Sequence, residues 1–228
     1  MCIFCTSGSG KSFFTKLQII RYRLLGIEQY VIDPEREYDN LAKELEGTLI
    51  KIGPSSKTYL NVFDIRKESR EDEKGYLATK ISKLIGFFNL IFGNLNEEEK
   101  AILEEKIILC YKEKGITFDD DSLLKNDKNK INIKPIFKDS KDMPLMEDLY
   151  NILGKDSKTK KMQIKLIPFV KGSLNFFNNF TNIEINNQLV IADIYDLGEE
   201  NLKYAMWIFT DYFWDRIKTD RKKKKATH

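Results

Sequence analysis

The feature that most constrains the fold is a glycine-rich loop near the start of the chain, CTSGSGKSFF at residues 5–14. Gly10, Lys11 and Ser12 match the strict end of the phosphate-binding pattern G-x-x-x-x-G-K-[ST], which follows a strand and opens a helix. The apolar residues 1–4 are predicted as that strand. Residues 11–25, with apolar side chains three or four apart, are predicted as that helix.

The residue types in the loop suit phosphate chemistry. Glycines at positions 8 and 10 let backbone N–H groups turn toward phosphate oxygens, and the positive end of the following helix adds to the anion site. Lys11 is expected to reach the β and γ phosphates of ATP, and the Ser12 hydroxyl is expected to ligate Mg²⁺. The candidate nucleotide-binding set is Thr6, Ser7, Gly8, Ser9, Gly10, Lys11, Ser12 and Phe13.

Cys5 stands where the pattern has its first glycine. A side chain there forces a less favourable backbone angle, and strain of about 1–3 kcal/mol weakens binding without necessarily abolishing it. Cys2 and Cys5 also form a C-x-x-C pair, which raises the alternative of zinc or redox chemistry. Side chains three apart on a strand point to opposite faces, so that alternative is not favoured.

Strands and helices alternate over the first 50 residues. QYVID at 29–33 and TLIKI at 48–52 are β-branched runs expected of buried parallel strands, with a short helix between them that ends before Gly47. NQLVIADI at 187–194 has the continuous apolar run of a central strand. The predicted fold class is therefore α/β, with a parallel sheet.

The middle of the chain has helical character instead. Residues 73–92, 97–114, 144–153 and 157–170 are predicted helices, and Asn96 with Glu99 forms a capping box at the second of them. Residues 119–142 are about half charged and are interpreted as a polar surface loop or a disordered stretch. The predicted division is residues 1–68 for the first part of the sheet core, 69–180 for a helical insertion and 181–228 for the return to the core, including a long helix at 199–218.

An acidic stretch, IDPEREY at residues 32–38, comes at the end of the second predicted strand. Ligands of open parallel sheets bind at the carboxyl ends of the strands, so this stretch is expected beside the glycine-rich loop. A carboxylate there can orient the water that attacks the γ phosphate, and Arg36 can steady the developing charge. The alternative, a solvated turn that caps the next helix, stays open at this point.

Composition excludes some classes of protein. The 228 residues carry a net charge of +3, which gives no general case for nucleic-acid or membrane binding. No apolar run reaches the roughly 18 residues that cross a bilayer. Three cysteines and the absence of a leader lead us to expect a reducing, cytoplasmic setting. The basic run at 221–225 is interpreted as an exposed connector, and nucleic-acid contact by it has no other support.

Several segments, in this order, resemble the ATPases of type IV secretion and conjugative transfer, the VirB4-like and TraE-like branch of the FtsK–HerA superfamily. They are TSGSGKSFFTK, VIDPEREYDNLAKEL, GTLIKI, LNVFDI, LNEEEKAILEEKIILCY, MPLMEDLYNIL and NQLVIADIYDLGEENLKYAMWIFTDYFWDRI. The resemblance implies a RecA-like P-loop NTPase core with a helical insertion. It also implies a hexameric, cytoplasmic ATPase, peripheral to the membrane beside other secretion subunits, that uses ATP and Mg²⁺ to energise pilus assembly or substrate transfer.

Two of these segments carry the family's site residues. The resemblance places its phosphate loop on residues 5–12 and its acidic motif on residues 33–38, with Lys11, Glu35 and Glu37 as the candidate catalytic residues. The Walker B strand of the family follows the segment that resembles LVIAD by one helix. We therefore expect an incomplete core that stops before Walker B and that hydrolyses little or no ATP by itself. Asp193 is expected to end a structural strand, with Mg²⁺ binding by its carboxylate as the alternative.

Two further readings remain open. One is a HerA-like DNA translocase, which is also a motor. The other is a degenerate, nucleotide-binding module that does not hydrolyse ATP and acts through contacts alone, as Cys5 and the expected loss of Walker B suggest.

Overall fold

In the computed structural model, the described residues are 10–66, 75–125, 136–183 and 185–226, with side chains described as far as residue 218. The helices are α1 (Lys11–Leu24), α2 (Asp39–Glu44), α3 (Tyr76–Phe92), α4 (Glu97–Glu113), α5 (Met146–Leu153), α6 (Lys160–Val170) and α7 (Glu199–Ala226). The strands are β1 (Gln29–Asp33), β2 (Thr48–Lys51), β3 (Leu124–Lys125), β4 (Ile136–Phe137) and β5 (Leu189–Asp193). The chain divides into two compact units, residues 1–58 with 183–209, and residues 59–182 with 210–228.

The first unit is built on a parallel sheet with the strand order β1-β5-β2. All five residues of β5 are buried, as its apolar run predicted for a central strand. The register pairs Asp33 of β1 and Lys51 of β2 with Asp193 of β5. Because the strands are parallel, these three residues lie in one row at the carboxyl edge of the sheet.

The core of the first unit joins the sheet to α1 and α2. Ile19 of α1, Ala42 of α2 and Leu189 with Ile191 of β5 form a buried cluster, and Tyr38 packs against it. The side-chain amide of Gln29 donates a buried hydrogen bond of 3.0 Å to the carbonyl of Ile19, which joins the second half of α1 to the start of β1. This packing places the start of α1 and the carboxyl end of β1 within the same unit.

The second unit is mostly helical. Apolar side chains of α3 at helical spacing, including Leu77, Leu84 and Phe88, are buried in its core. Helix α4 begins with the predicted capping box, in which Asn96 accepts from the backbone of Glu99 and the Glu99 carboxylate accepts from the backbone of Asn96. These helices occupy most of the region that the sequence predicted as a helical insertion.

Residues 119–142 are more ordered than the predicted surface loop in the part that is described. The segments Asp120–Leu123 and Ser140–Asp142 are short 3₁₀ helices, and β3 pairs with β4 antiparallel. Leu123 within this segment and Met143 directly after it are fully buried, so apolar burial anchors both described parts of it. Residues 126–135 lie outside the described residues.

Two groups of expectations are not tested by the fold. They are those on residues outside the described ranges and those on the domain boundaries. The predicted strand at residues 1–4 and the C-x-x-C pair lie outside the described residues. The predicted division at 68/69 and 180/181 stays a prediction. Within the described part of the chain, no helix combines the length and apolar character that crossing a bilayer requires.

Candidate nucleotide-binding site

The start of α1 has the backbone features of an anion site. Gly10 precedes the helix in the left-handed region, with φ 86°, and a Cβ placed on it would meet no atom within 4 Å. No described side chain caps this end, and the first turn contains no acidic residue. The first helical N–H groups therefore have no acceptor within the helix, and the helix dipole favours a negative charge beside them.

The side chains at this end are open to solvent. Lys11 and Phe13 are exposed and Ser12 is half-buried. Neither the Lys11 ammonium nor the Ser12 hydroxyl has a hydrogen-bond partner among the described residues. Both groups are thus available to a ligand, as the phosphate-loop prediction requires. Thr6, Ser7, Gly8 and Ser9 of the predicted set, like Cys5, lie outside the described residues.

Helix α1 contacts the end of the acidic stretch. The Lys16 ammonium lies over the ring of Tyr38, 5.5 Å from its centroid. Burial raises the pKa of Tyr38, while a hydrogen bond with Thr15 acts in the opposite direction. The hydroxyl of Thr15 also donates to the carbonyl of Lys11, over 3.0 Å. The structure therefore brings Thr15 and Lys16 of α1 to Tyr38, at the end of the acidic stretch. The position of the glycine-rich loop beside this stretch stays a prediction.

Asp33 shapes the acidic turn, which we define as residues 34–38. Its buried carboxylate accepts hydrogen bonds from the backbone N–H groups of Glu35 (3.2 Å), Glu37 (3.3 Å) and Tyr38 (3.0 Å). Side chains of this kind replace backbone partners in tight turns. Asp33 is thus occupied by the backbone, and it determines where the two following glutamates lie.

Glu35 and Glu37 supply the two carboxylates of the acidic turn. Glu35 is exposed and Glu37 is half-buried. Within the ranges that the structure describes, neither carboxylate has a hydrogen-bond or ion-pair partner. Their role as candidate catalytic residues stays a prediction, and their exposure is compatible with contact to a water molecule or a ligand.

The sequence was interpreted to mean that Arg36 steadies charge on a phosphate. In the structure its side chain instead contacts two carboxylates. Its Nε donates a hydrogen bond to Oδ2 of Asp193, and its Nη2 donates one to Oδ2 of Asp196, each over 2.7 Å. The guanidinium also lies over the ring of Tyr195, 4.9 Å from the centroid. Hydrogen bonds to Asp196 and Asp193 raise the pKa of Arg36. The side chain is engaged by protein groups, which favours a structural role.

Asp193 is likewise engaged by protein groups. Its side chain is completely buried, and the ammonium of Lys51 lies 3.4 Å from its Oδ2 while also contacting Asp39 at 2.8 Å. Burial alone would raise the pKa of Asp193, but hydrogen bonds from Arg36 and from the backbone of Tyr195 hold it below its ordinary value. These contacts agree with the expected structural strand end. The described residues contain no group of three or more His, Cys, Asp or Glu that could hold a metal ion.

Sequence reasoning missed Lys51, Gly53 and Asp196. Lys51 ends β2 and Gly53 lies two residues beyond it, so both lie at the carboxyl edge of the sheet, as Asp33 does at the end of β1. The edge rule for parallel sheets could have found Lys51. The same rule points to Asp196, three residues beyond the end of β5, but it does not indicate that Asp196 meets Arg36, 160 positions away in sequence.

A parallel sheet beside a helix that begins at a left-handed glycine without a cap fits an incomplete P-loop NTPase core, and the predicted fold class is confirmed. Among solved structures, the chain is similar to VirB4 of Thermoanaerobacter pseudethanolicus, with a TM-score of 0.79 and 25% sequence identity over 95% of this chain. The similarity confirms the predicted resemblance to VirB4-like type IV secretion ATPases. The chain spans 56% of the length of that protein. No protein-family model and no curated protein sequence matches it.

Proposed function

We propose that the chain is the ATP-binding part of a type IV secretion motor. The observation that carries the proposal is the start of α1, which has a left-handed Gly10, no described cap and free Lys11 and Ser12 side chains. The similarity in fold to VirB4 supports the same reading.

In this proposal each candidate residue has the role that the sequence analysis predicted for it. The amides of the loop and of Gly10 to Phe13 bind the phosphate oxygens, Lys11 neutralises the β and γ phosphates, and the Ser12 hydroxyl holds Mg²⁺. Glu35 and Glu37 orient the attacking water and accept its proton. The geometry that supports these roles is the contact of α1 with Tyr38 at the end of the acidic turn.

The biological setting belongs to the same proposal. We infer that the motor works as a hexamer at the cytoplasmic face of the membrane, with other secretion subunits. ATP hydrolysis there energises pilus assembly or the transfer of substrate, including DNA. An exposed first turn on α1, with Phe13 73% exposed, is compatible with a site that a neighbouring subunit covers.

The test measures ATP binding and phosphate release for the wild type and Lys11→Ala. We expect Lys11→Ala to weaken ATP binding by about tenfold or more, because it removes a charge-assisted contact to the phosphates. Lys43→Ala is the matched control, since Lys43 is an exposed lysine of α2 in the same unit. Equal ATP affinity in the wild type and Lys11→Ala would contradict the proposal.

The second candidate is a nucleotide-binding module that does not hydrolyse ATP. One observation favours it, namely Cys5 at the position of the first glycine of the phosphate loop. This candidate predicts Lys11-dependent ATP binding with no phosphate release at saturating ATP and Mg²⁺, even from a longer form of the chain that includes a Walker B strand. Phosphate release that Glu35→Gln or Glu37→Gln reduces would select the motor.

A HerA-like DNA translocase is distinguished by the same assay. Stimulation of phosphate release by double-stranded DNA would favour it, whereas release that is insensitive to DNA favours the secretion motor. The net charge of +3 gives no independent support for DNA binding.

A further inference from the structure

The acidic turn and the segment after β5 begin side by side. Asp33 and Asp193 are paired in the parallel register, and the backbone N–H of Ile194 donates to the carbonyl of Asp33 over 3.1 Å. From this common starting point, β1 continues into the acidic turn, and β5 continues into the 3₁₀ helix Tyr195–Leu197. The two segments thus leave the same edge of the sheet as neighbours.

Arg36 bridges these two segments. Its guanidinium binds Asp193, which is completely buried, and Asp196, which is 49% exposed, with both distances at 2.7 Å. The planar guanidinium can hold two carboxylates at fixed angles, which an ammonium group cannot do. Tyr195 covers the same group with its ring. One side chain of the turn is therefore fixed at two points to the end of β5.

The backbone of Arg36 shows that this arrangement carries a cost. Its φ is 55°, in the left-handed region that residues other than glycine seldom occupy. Such a conformation persists where the surrounding contacts determine it. The contacts available to Arg36 are the two carboxylates and the Tyr195 ring, since Asp33 binds the amides of its neighbours.

The end of β2 leaves space for the second of these carboxylates. A Cβ placed on Gly53 would lie 3.0 Å from the Cβ of Asp196. A side chain at position 53 would push Asp196 away from its place beside Arg36. Two segments, the acidic turn and the residues after β5, thus meet at the Arg36 guanidinium, and Gly53 after β2 lies against Asp196.

We propose that Arg36 is a positioning residue, which holds the acidic turn against the end of β5 and thereby fixes the carboxylates of Glu35 and Glu37. The inference rests on the proposed function in assigning those two glutamates to ATP hydrolysis. Arg36 itself does not touch the nucleotide. Asp193 and Asp196 are the anchors, and the geometry of the candidate site depends on residues more than 150 positions away in sequence.

The test uses the 228-residue chain and compares Arg36→Asn, Arg36→Lys and Asp196→Asn with the wild type. Asparagine tolerates the left-handed region, so Arg36→Asn removes the guanidinium without a new backbone cost. Arg36→Lys keeps a positive charge near Asp193 but cannot hold the two carboxylates in the fixed planar geometry of a guanidinium. Arg21→Gln is the matched control, because it removes an exposed guanidinium of α1 that has no side-chain partner among the described residues.

The first readout is hydrogen exchange at the amides of Glu35, Glu37 and Tyr38, without nucleotide. We expect Arg36→Asn to raise their exchange by about tenfold, since the turn opens more often when its anchor is lost. Asp196→Asn and Arg36→Lys are expected to give smaller increases, and Arg21→Gln none. Exchange that is unchanged in Arg36→Asn would overturn the proposal.

The second readout separates binding from turnover. This readout needs a longer form of the chain that includes a Walker B strand. In that form we expect Arg36→Asn to lower kcat by about tenfold with unchanged ATP affinity, and Arg36→Lys to recover part of the loss, because only the orientation of the glutamates changes. Faster exchange with an unchanged kcat would overturn the positioning role. A wild type that does not bind ATP would instead reject the proposed function, and the exchange measurement would still decide whether Arg36 anchors the turn.

Discussion

The two units each contain a cluster of basic and acidic side chains, and the clusters differ in burial. In the first unit, Arg36 and Lys51 join Asp39, Asp193 and Asp196 at the edge of the sheet. In the second unit, a buried cluster joins three basic and two acidic residues, which are Arg66, Lys80, Lys83, Asp211 and Asp215. Similar chemistry therefore occurs once at an open edge and once in a core.

Exposure shows the difference in numbers. The side chains of Arg36, Lys51 and Asp196 are 32%, 44% and 49% exposed, whereas those of Lys80 and Asp211 are 6% and 8% exposed. The open-edge charges that reach solvent keep most of their hydration, so their ion pairs contribute little to stability. Asp193, the buried member of this cluster, keeps the Lys51 ammonium and the Tyr195 amide as partners if Arg36 is replaced. Buried charges lose their hydration, and each one depends on its partners.

The pKa values of the buried pair show the same dependence. Burial lowers the pKa of Lys80 below its ordinary value, although Asp211 acts to raise it. Burial would raise the pKa of Asp211, but the charges of Lys80 and Lys83 hold it well below its ordinary value. From this comparison we expect the buried cluster to contribute most to the unfolding free energy, and the open cluster to act mainly on the geometry of the candidate site.

The largest expected effect is that of Asp211→Asn in the buried cluster. The change leaves Lys80 buried without the carboxylate 3.1 Å away, and breaking a buried pair of this kind costs about 3–5 kcal/mol of unfolding free energy. Urea unfolding measures it, with Asp121→Asn as the control because Asp121 is exposed. A cost for Asp211→Asn as small as that of the control would remove the distinction between the clusters.

Lys80→Met removes the cation of the same buried pair instead of its carboxylate partner. Asp211 keeps its ion pair with Lys83, and the cost of burying the Lys80 ammonium disappears, so we expect the unfolding free energy at neutral pH to change by about 1 kcal/mol or less. The folded pKa of Lys80 is lowered from 10.5, so the unfolded chain binds its proton more tightly. Wild-type stability therefore gains from Lys80 as pH rises from the folded pKa toward 10.5, and Lys80→Met lacks that gain. A loss comparable to that of Asp211→Asn would contradict this account.

The open cluster is expected to give the smallest effect on stability. Arg36→Asn should lower the unfolding free energy at pH 7 by about 1 kcal/mol or less. Because the pKa of Asp193 is lowered from 3.8 in the folded protein, its contribution is present above pH 3.8 and is lost as pH falls through the folded pKa. The difference between Arg36→Asn and the wild type should therefore shrink in acid. A difference that grows in acid would show that Arg36 does not act through Asp193.

Sequence periodicity predicted the regular elements well, because local patterns determine them. β1 and the capping box of α4 were found from sequence, and the apolar run of β5 correctly indicated the centre of the sheet. The long helix predicted over 199–218 continues to Ala226 as α7. The glycine-rich loop predicted how α1 begins, since Gly10 and the uncapped helix start follow directly from that motif.

Contacts between distant residues could not be predicted in the same way. Lys80 and Asp211 are 131 positions apart, and Arg36 meets Asp193 across 157. Single residues of these types occur on any solvated surface, so only the fold shows which of them meet. For the same reason, the sequence assigned Arg36 to the phosphates rather than to the end of β5.

The central claim is that the start of α1 binds the phosphates of ATP. The most direct measurement follows the backbone amide resonances of Lys11, Ser12 and Phe13 while a nonhydrolysable ATP analogue and Mg²⁺ are added to the 228-residue chain. We expect saturable shifts at these three amides, which Lys11→Ala weakens and Lys43→Ala leaves unchanged. Resonances that stay in place at millimolar concentrations of the analogue would contradict the account.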